Sequence, residues 1–446
     1  MLHAIRNLFS PTNPLRLLWH FLWSVVFAVY YRFPGKHLVV IGVTGTNGKT
    51  TTSNLIAGIL ETAGHSVALA TTANFQVGKK KWMNETKFTT LGRGGMYKFL
   101  QNAEHAGCTH AVIEVSSHAL TQHRTFGIDF DAAVLTNIAP EHLDFHGTMA
   151  EYIEAKTKLF WQLMKTDKPG ERVAVLPAED EATDYFRRVP LEGIIEFGFK
   201  KGDLRAKNMQ LDSRGQKFTV TGWSKDFELS TQLLGGFNVA NILAASACCL
   251  GLGIQPADIK KCLRDFAPVP GRLEPIEGNQ PFRVIVDFAH TADALEKMIR
   301  TFRPVTAGKM WVLYGACGDR DRSLRAPRGR VLDRLADEVI ITTDDPYFEN
   351  EQQTVDDVLQ GIKRTEHLFV SLDRREAMRH ALTHAQAGDT VLLCGKGCET
   401  VRPTKGKMLP WDDRVIAHDI LKKLYPKKKR AAKKPRGSAP RRVKLG

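Results

Sequence analysis

HLVVIGVTGTNGKT, residues 37–50, is the stretch on which the fold turns. His37 to Val43 is a continuous apolar run of the kind found in strands buried on both faces, and it ends in the turn Gly45-Thr46-Asn47-Gly48-Lys49-Thr50. Beyond it, Thr51 to Ala63 carries its apolar residues at helical spacing. Strand, glycine-rich turn and helix follow in the order that brings backbone N–H groups and a helix N-terminus together around phosphate oxygens. Lys49 adds a point charge, and the Thr50 hydroxyl suits Mg2+. The general pattern of such loops would place glycine at position 43, where Val43 stands, so this is a shorter variant.

Working outward, strand patterns at Ser66–Ala70, His110–Val115 and Ala132–Thr136 alternate with helical ones at Gly95–Ala106 and Met149–Met164. This alternation predicts a mainly parallel, doubly wound sheet. From about Arg172 to Gln232 the pattern is short strands and turns, with a hairpin tip at Asp212–Gly215, and Asn238–Leu252 reads as an alanine-rich helix. A second alternating block starts near Pro270: strands at Phe282–Asp287, Met310–Tyr314, Glu338–Thr342 and Thr390–Cys394, and helices at Ala292–Thr301 and Arg328–Ala336. The fold class expected is therefore α/β, a P-loop, doubly wound central ATPase domain with a C-terminal Rossmann-like α/β domain. The divisions expected are an apolar N-terminal helix in 1–36, the central domain in 37–269, the C-terminal domain in 270–425 and a basic tail in 426–446.

The chain has 446 residues, enough for two or three domains, with 43% hydrophobic and 25% charged residues, which excludes wholesale disorder and a polytopic membrane protein. Its net charge of +15 is concentrated: residues 427–446 hold ten Lys/Arg and no acid, with no apolar face to bury, and disorder is expected there. Seven cysteines without a C-x-x-C pair or zinc spacing fit a reduced, cytoplasmic setting. Leu17–Tyr31, LLWHFLWSVVFAVYY, is nearly all apolar. As a helix it reaches about 22 Å, short of a hydrocarbon core of about 30 Å, and only an extension over Pro14–Phe33 would span. Three placements remain open for it: an interfacial anchor, a true span, or a helix packed on protein.

Two further clusters stand at strand ends, where open α/β sheets form their ligand crevice. EVSSHAL puts Glu114 where a metal carboxylate would serve, and NIAPEHLDFHG, Asn137–Gly147, carries His142 and His146. Together with TGTNGKTTT these join Gln122-His123-Arg124, Glu154-Ala155-Lys156, GGFNVANILAA, Gly271-Arg272-Leu273-Glu274, VDFAHTADAL, Gly318-Asp319-Arg320-Asp321, DDP and GKGCE, in that order. The set resembles the Mur ligases, and within them the UDP-N-acetylmuramyl tripeptide synthetase branch (MurE type), over about residues 37–420.

The resemblance implies an ATP-dependent amide-bond ligase of peptidoglycan synthesis. ATP phosphorylates the terminal carboxylate of a muramyl dipeptide, and the amine of an amino acid captures the acyl phosphate. By similarity, Gly45 to Thr51, Asn238, Asn241, Arg272, Asp287 and His290 would hold ATP. Lys49 would neutralise its phosphates, Thr50 one Mg2+, and Glu114 with His142 another. Lys156 matches a lysine that becomes carbamylated; without the resemblance it reads as a solvated helix lysine. Thr89, Thr90, Ser116, Gln122 and Arg124 match positions for the muramyl dipeptide. Arg320 would clamp the α-carboxylate of the amino acid, and Asp344 and Glu399 would meet amino groups.

The sequence departs from the family at three places. About a hundred residues forming a uridine-binding domain normally precede the phosphate loop, and here about forty do, including the apolar helix; a membrane-surface enzyme with a lipid-linked or altered carrier is the expectation this raises. The diaminopimelate branch reads D-N-P-R, and here Asp344-Asp345-Pro346-Tyr347 lacks the arginine that would pair with a distal carboxylate. L-lysine is therefore favoured over meso-diaminopimelate, with Asp345 or Glu349 offered to its distal amine. Finally, Cys398 replaces the histidine of G-K-G-H-E, and Arg322-Ser323-Leu324-Arg325 follows GDRD. The alternatives are another ligase of the superfamily on a different carrier, or a P-loop ATPase binding nucleic acid through its tail, whose attraction to phosphates would be salt-sensitive.

Overall fold

The computed structural model describes residues 12–426 apart from Arg93, Ser213 and Arg214; the expected disordered tail lies outside the described residues. Eleven strands form the first sheet: β1 (Val39–Thr44), β2 (Val67–Ala70), β3 (Asn74–Val77), β4 (Lys80–Met83), β5 (His110–Glu114), β6 (Ala132–Leu135), β7 (Val173–Pro177), β8 (Ile194–Gly198), β9 (Leu204–Asp212), β10 (Gly215–Thr221) and β11 (Phe227–Thr231). Their order is β11-β10-β9-β8-β7-β6-β1-β5-β2-β3-β4. The strands from β2 across to β9 run parallel, and antiparallel hairpins extend both edges.

β1 is buried on both sides, which is why its sequence does not alternate. Ile41 and Val43 join the core under the helices Lys49–Thr62, Gly236–Gly251 and Pro256–Asp265, while Val40 joins the core under Gly95–His105 and Met149–Met164. Gly42 lies so close to the latter helix that a Cβ would meet Leu159 Cδ1 at 2.8 Å. β1 stands between β5 and β6, so the loops after these three strands open on one crevice.

The second sheet, order β12-β13-β17-β14-β15-β16, is built from β12 (Glu274–Pro275), β13 (Arg283–Asp287), β14 (Met310–Ala316), β15 (Glu338–Thr343), β16 (Leu368–Val370) and β17 (Thr390–Cys394). All but β12 are parallel. A buried ion pair fixes one end: Arg374 gives three hydrogen bonds to Asp413 and one to the Cys394 carbonyl at 2.8 Å, closing the C-terminal end of β17. The expected helix at Arg328–Ala336 begins earlier, at Arg325, because the Arg325 guanidinium is buried against Glu349 and Asp357.

The N-terminal apolar segment forms a helix over Pro14–Tyr30, capped by the Asn13 side chain, which accepts from the Leu15 N–H. It stops short of the Phe33 needed for a span, because Arg32 and Phe33 turn to positive φ. Among the described residues no helix is long and apolar enough to cross a membrane. The segment is not separate from the next: Ala28 belongs to the first sheet's core, with Phe27, Tyr31 and Phe33 packed on it. Burying a side chain of that size stabilises by about 1.5–3 kcal/mol.

Candidate functional site

The phosphate turn is held from behind by the strand next door. Asn137 Oδ1 accepts the Asn47 N–H at 3.0 Å, and Thr136 Oγ1 and Asn137 Nδ2 both donate to the Asn47 carbonyl. Gly45 and Gly48 have positive φ, and a Cβ would meet Thr136 Oγ1 at 2.0 Å in the first case and Asn241 Oδ1 at 2.2 Å in the second. Both glycines are therefore required by contact as well as by backbone conformation. Asn241 donates to Asn238 Oδ1 at 3.1 Å, so these two adjacent helix positions abut the turn. Thr46 Oγ1 donates to the Ala139 carbonyl and lies 3.0 Å from the Tyr152 hydroxyl, and Thr51 opens the following helix, buried.

Thr50 and Glu114 meet directly. Glu114 Oε2 accepts from Thr50 Oγ1 at 2.9 Å and from the Thr72 N–H at 2.8 Å, and its Oε1 accepts from Thr72 Oγ1. A buried carboxylate beside two hydroxyls is a set of hard oxygen donors, which fits Mg2+. Arg272 Nη2 donates to Thr50 Oγ1 at 3.2 Å from the other sheet's side of the cleft.

Lys156 is not a solvated lysine. It is 2% exposed, donates to the Gly45 carbonyl at 2.7 Å, and lies over the Tyr152 ring. Burial, and then the charge of Lys49, push its pKa well below the ordinary lysine value. The Lys49 ammonium donates to the Thr46 carbonyl at 2.7 Å.

His142 occupies the same cleft with its Nε2 3.6 Å from Glu141 Oε1. Glu141 was missed in the sequence although it sits inside the NIAPEHLDFHG motif. Burial raises its carboxyl, but His142, His290 and Lys49 outweigh that and hold it below the usual range. Its Oε1 lies 3.2 Å from His290 Nε2, which ties the two sheets' loops together. His146 is turned away, with its Nε2 2.9 Å from Ser117 Oγ and its pKa lowered to about 4 by burial and neighbouring cations. Asp287 lines the cleft, yet its oxygens accept the Leu273 and Ala289 N–H groups, each at 2.7 Å. Arg272 lies over the Phe288 ring.

Thr89 and Ser116 line the cleft, whereas Thr90 and Gln122 are buried behind it. Thr90 Oγ1 accepts the Ser116 N–H at 2.9 Å and its carbonyl accepts from Arg124 Nη1. Gln122 Oε1 accepts twice from Arg124, at 2.9 and 2.5 Å. These two residues orient Ser116 and Arg124; they do not reach into the cleft themselves.

At the far end stands an acidic pocket. Lys396, fully buried, donates to Asp345 Oδ1 at 2.6 Å, Glu399 Oε2 at 2.7 Å and the Val401 carbonyl at 2.8 Å. Lys87, from the segment after β4, reaches Asp345 and lies 3.0 Å from Glu399 Oε2. No local pattern marks Lys87; its partners lie more than 250 positions away and only the tertiary fold joins them. Burial pushes the Asp344 carboxyl up to about 7 against the pull of Lys396, and its Oδ1 is buried without a hydrogen bond. Cys317 Sγ and the Asp344 and Asp345 carboxylates lie within 4.8 Å of one another, but two ammonium groups already pair with Asp345, and that of Lys396 lies 3.8 Å from Asp344 Oδ1. The pocket suits an amine better than a metal. Glu349 does not join it: both its oxygens are taken by Arg325, with Arg322 and the Asp319 N–H beside them. Arg320 stands exposed at the pocket mouth over the Tyr347 ring. Cys398, in place of the expected histidine, is buried with Ala73 and Val269 in an apolar seam between the two sheets' loops.

All of this surrounds one cleft of about 560 Å³, with the phosphate turn at one end and the acidic pocket at the other. A glycine-rich turn of the phosphate-binding kind and a cluster of buried carboxylates thus line one cleft between two α/β sheets, an arrangement of the P-loop class. The model of the Mur ligase middle domain matches residues 43–249, and that of the Mur ligase glutamate ligase domain matches residues 271–397. The UDP-N-acetylmuramoyl-L-alanyl-D-glutamate–2,6-diaminopimelate ligase of Halalkalibacterium halodurans is 37% identical over 397 residues, covering 89% of this chain and 81% of its own. The enzyme of the same name from Aquifex aeolicus is 36% identical over 88% of this chain and 79% of its own. A solved structure of a ligase so named superposes with a TM-score of 0.60 at 31% identity, over 86% of this chain and 78% of that one. A folylpolyglutamate synthase from Mycobacterium tuberculosis shares the fold at 14% identity, with a TM-score of 0.68 over 92% of this chain and 96% of its own. The chain belongs to the Mur ligase family and is an ATP-dependent acid–amino-acid ligase.

Proposed function

We propose that the protein adds L-lysine, in preference to meso-diaminopimelate, to the terminal carboxylate of a muramyl-dipeptide-like precursor of peptidoglycan, working in the cytoplasm where ATP is supplied. The observation that carries this reading is the single cleft with a phosphate turn at one end and the Asp344, Asp345 and Glu399 carboxylates at the other. Its walls come from two lobes, 37–269 and 270–425. The relatives' names specify diaminopimelate for those proteins; the amino-acid preference here rests on the pocket's own charges. Tyr347 supplies no cation for a second carboxylate, and the acids of the pocket already hold the ammonium groups of Lys87 and Lys396.

The residues divide the chemistry as follows. The turn amides of Gly45 to Thr50 and the Lys49 ammonium bind and neutralise the phosphates, with Thr51, Asn238, Asn241, Arg272, Asp287 and His290 along the nucleotide. Thr50 and Glu114 would hold Mg2+, with His142 beside them, and the ion would supply charge neutralisation for the transferring phosphoryl group. Lys156, whose buried amine gives up its proton more readily than an ordinary lysine, would add CO2, releasing a proton and gaining a negative carbamate. Thr89, Ser116 and Arg124 face the muramyl acid, with Thr90 and Gln122 holding them in place. Arg320 pairs with the amino acid's α-carboxylate. The Asp293 Oδ2 contact to Asn47 Nδ2, at 3.1 Å, and the Glu141–His290 pair hold the lobes closed, which keeps water from the activated acid. The test is a panel of amino acids with ATP and UDP-muramyl dipeptide, read by ADP release and product mass. Lysine should give tripeptide; preference for diaminopimelate would refute the amino-acid assignment, and ADP release with no amino acid of the panel would refute the substrate class.

A further inference from the structure

The helix Pro14–Tyr30 is apolar apart from a strip of Arg16, His20 and Ser24, and only one side of it is covered. Inward, Phe21 packs edge-on against His123 and Phe126, with ring centroids 5.3 and 5.1 Å away, and Phe27 fills the space above Gly94, where a Cβ would meet its ring at 2.7 Å. Outward, Leu15, Leu18, Trp19, Leu22, Trp23, Val26, Val29 and Tyr30 are between 38% and 74% exposed. A wide apolar helix face belongs in a core or against lipid. Here the protein provides half of that environment.

The shape of the open face narrows what can cover it. At about 100° per residue these eight positions spread over an arc of about 140°, much wider than the a/d seam of a coiled coil. The helix is 17 residues long, about 25 Å at 1.5 Å each, and therefore too short to cross a bilayer. Two tryptophans and a tyrosine on the open face are the side chains that favour the boundary between headgroups and acyl chains. Charge agrees: residues 1–60 contain no aspartate or glutamate, while Arg16 lies in the helix and Arg32 and Lys36, both exposed, follow it.

We propose that this outer face docks flat on an anionic lipid surface, with Trp19, Leu22, Trp23 and Val26 entering the headgroup boundary and Arg32 and Lys36 meeting phosphates. The inner face touches His123, which stands between Gln122 and Arg124. If those residues serve the muramyl acid, as read above, docking holds the carrier end of the substrate beside the membrane; that corollary rests on the ligase reading, and the docking itself does not.

The experiment is co-sedimentation of the full chain with vesicles of phosphatidylcholine alone or mixed with phosphatidylglycerol, at low and high salt. The variants are Leu18→Glu/Leu22→Glu and Arg32→Gln/Lys36→Gln. Thermal unfolding checks that each is folded, and light scattering gives the oligomeric state. Wild type should sediment with the anionic vesicles. The glutamate pair should weaken this by about tenfold or more at either salt with an unchanged unfolding midpoint, and the glutamine pair should weaken it chiefly at low salt. The proposal is overturned by no sedimentation, by binding that the glutamate pair leaves intact and salt abolishes, which would assign it to the basic tail, or by a dimer that the glutamate pair splits. Vesicle binding without ligase turnover would instead strike the proposed reaction and leave the docking standing.

Discussion

At the phosphate end of the cleft the turn is set mainly by backbone groups and short side chains from neighbouring strand ends, with Lys156 and Arg272 added, whereas the acidic end is made almost wholly of long charged side chains. Thr136, Asn137 and Glu114 reach the turn because β5 and β6 flank β1, so pairing of the sheet alone places them. Lys396, Asp345 and Glu399 come together within the loops of the second sheet, and Lys87 joins them only when the first sheet faces it. The first arrangement should tolerate sequence change outside a few positions, and the second should be retunable by one substitution.

The comparison can be broken at either end. The largest effect is expected at Lys49→Ala, which should lower amino-acid-dependent ADP release by about a thousandfold or more without unfolding the protein, since only charge at the phosphates is removed. Lys156→Met should follow with a loss of about a hundredfold, and wild-type turnover should fall when CO2 and bicarbonate are stripped from the assay, a response that the variant lacks. Tyr347→Arg supplies the missing cation and should raise the ratio of diaminopimelate to lysine use by about tenfold, measured as the ratio of kcat/KM. Lys87→Met removes one ammonium from the acidic pocket. It should lower KM for lysine several-fold and lower kcat as well, because closure loses a contact worth about 1.5–3 kcal/mol in hydrogen bonds to charge.

The smallest effect is one of pH. Burial raises the Asp344 carboxyl to about 7, so its charge is completed only as pH rises through that value, and KM for the amino acid should improve over the same range. The sign for stability is opposite: the folded protein keeps a proton that the unfolded chain gives up near the ordinary aspartate value, so Asp344 favours the fold at low pH and that contribution is lost as pH rises to about 7. Asp344→Asn should flatten both profiles, measured by initial rates and by the unfolding midpoint across pH.

What the sequence disclosed follows the same division. The run His37–Val43, the turn and the strand-end motifs carry their geometry locally, and their expected positions hold within a residue or two; Thr50 and Glu114 come together as the strand order requires. The helices Glu351–Leu359, Arg374–His384 and Asp413–Leu424 went unread because their buried faces are narrow; in the second it is Ala377, Met378, Ala381 and Leu382. The hairpin Asn74–Met83 went unread because its outer strand, KKWM, is largely exposed at a sheet edge. Lys156 was misjudged on its own pattern because burial by a facing loop leaves no trace in helical spacing, and Glu349 because its partner Arg325 is a buried guanidinium, a rare thing to expect.

The central claim is that nucleotide cleavage activates a carboxylate in this cleft for capture by an amine. It is tested most directly with a muramyl dipeptide whose terminal carboxylate carries oxygen-18, followed by mass analysis of the phosphate released with lysine present. Passage through an acyl phosphate delivers one labelled oxygen to each phosphate. Unlabelled phosphate formed at the same rate as product would contradict the account.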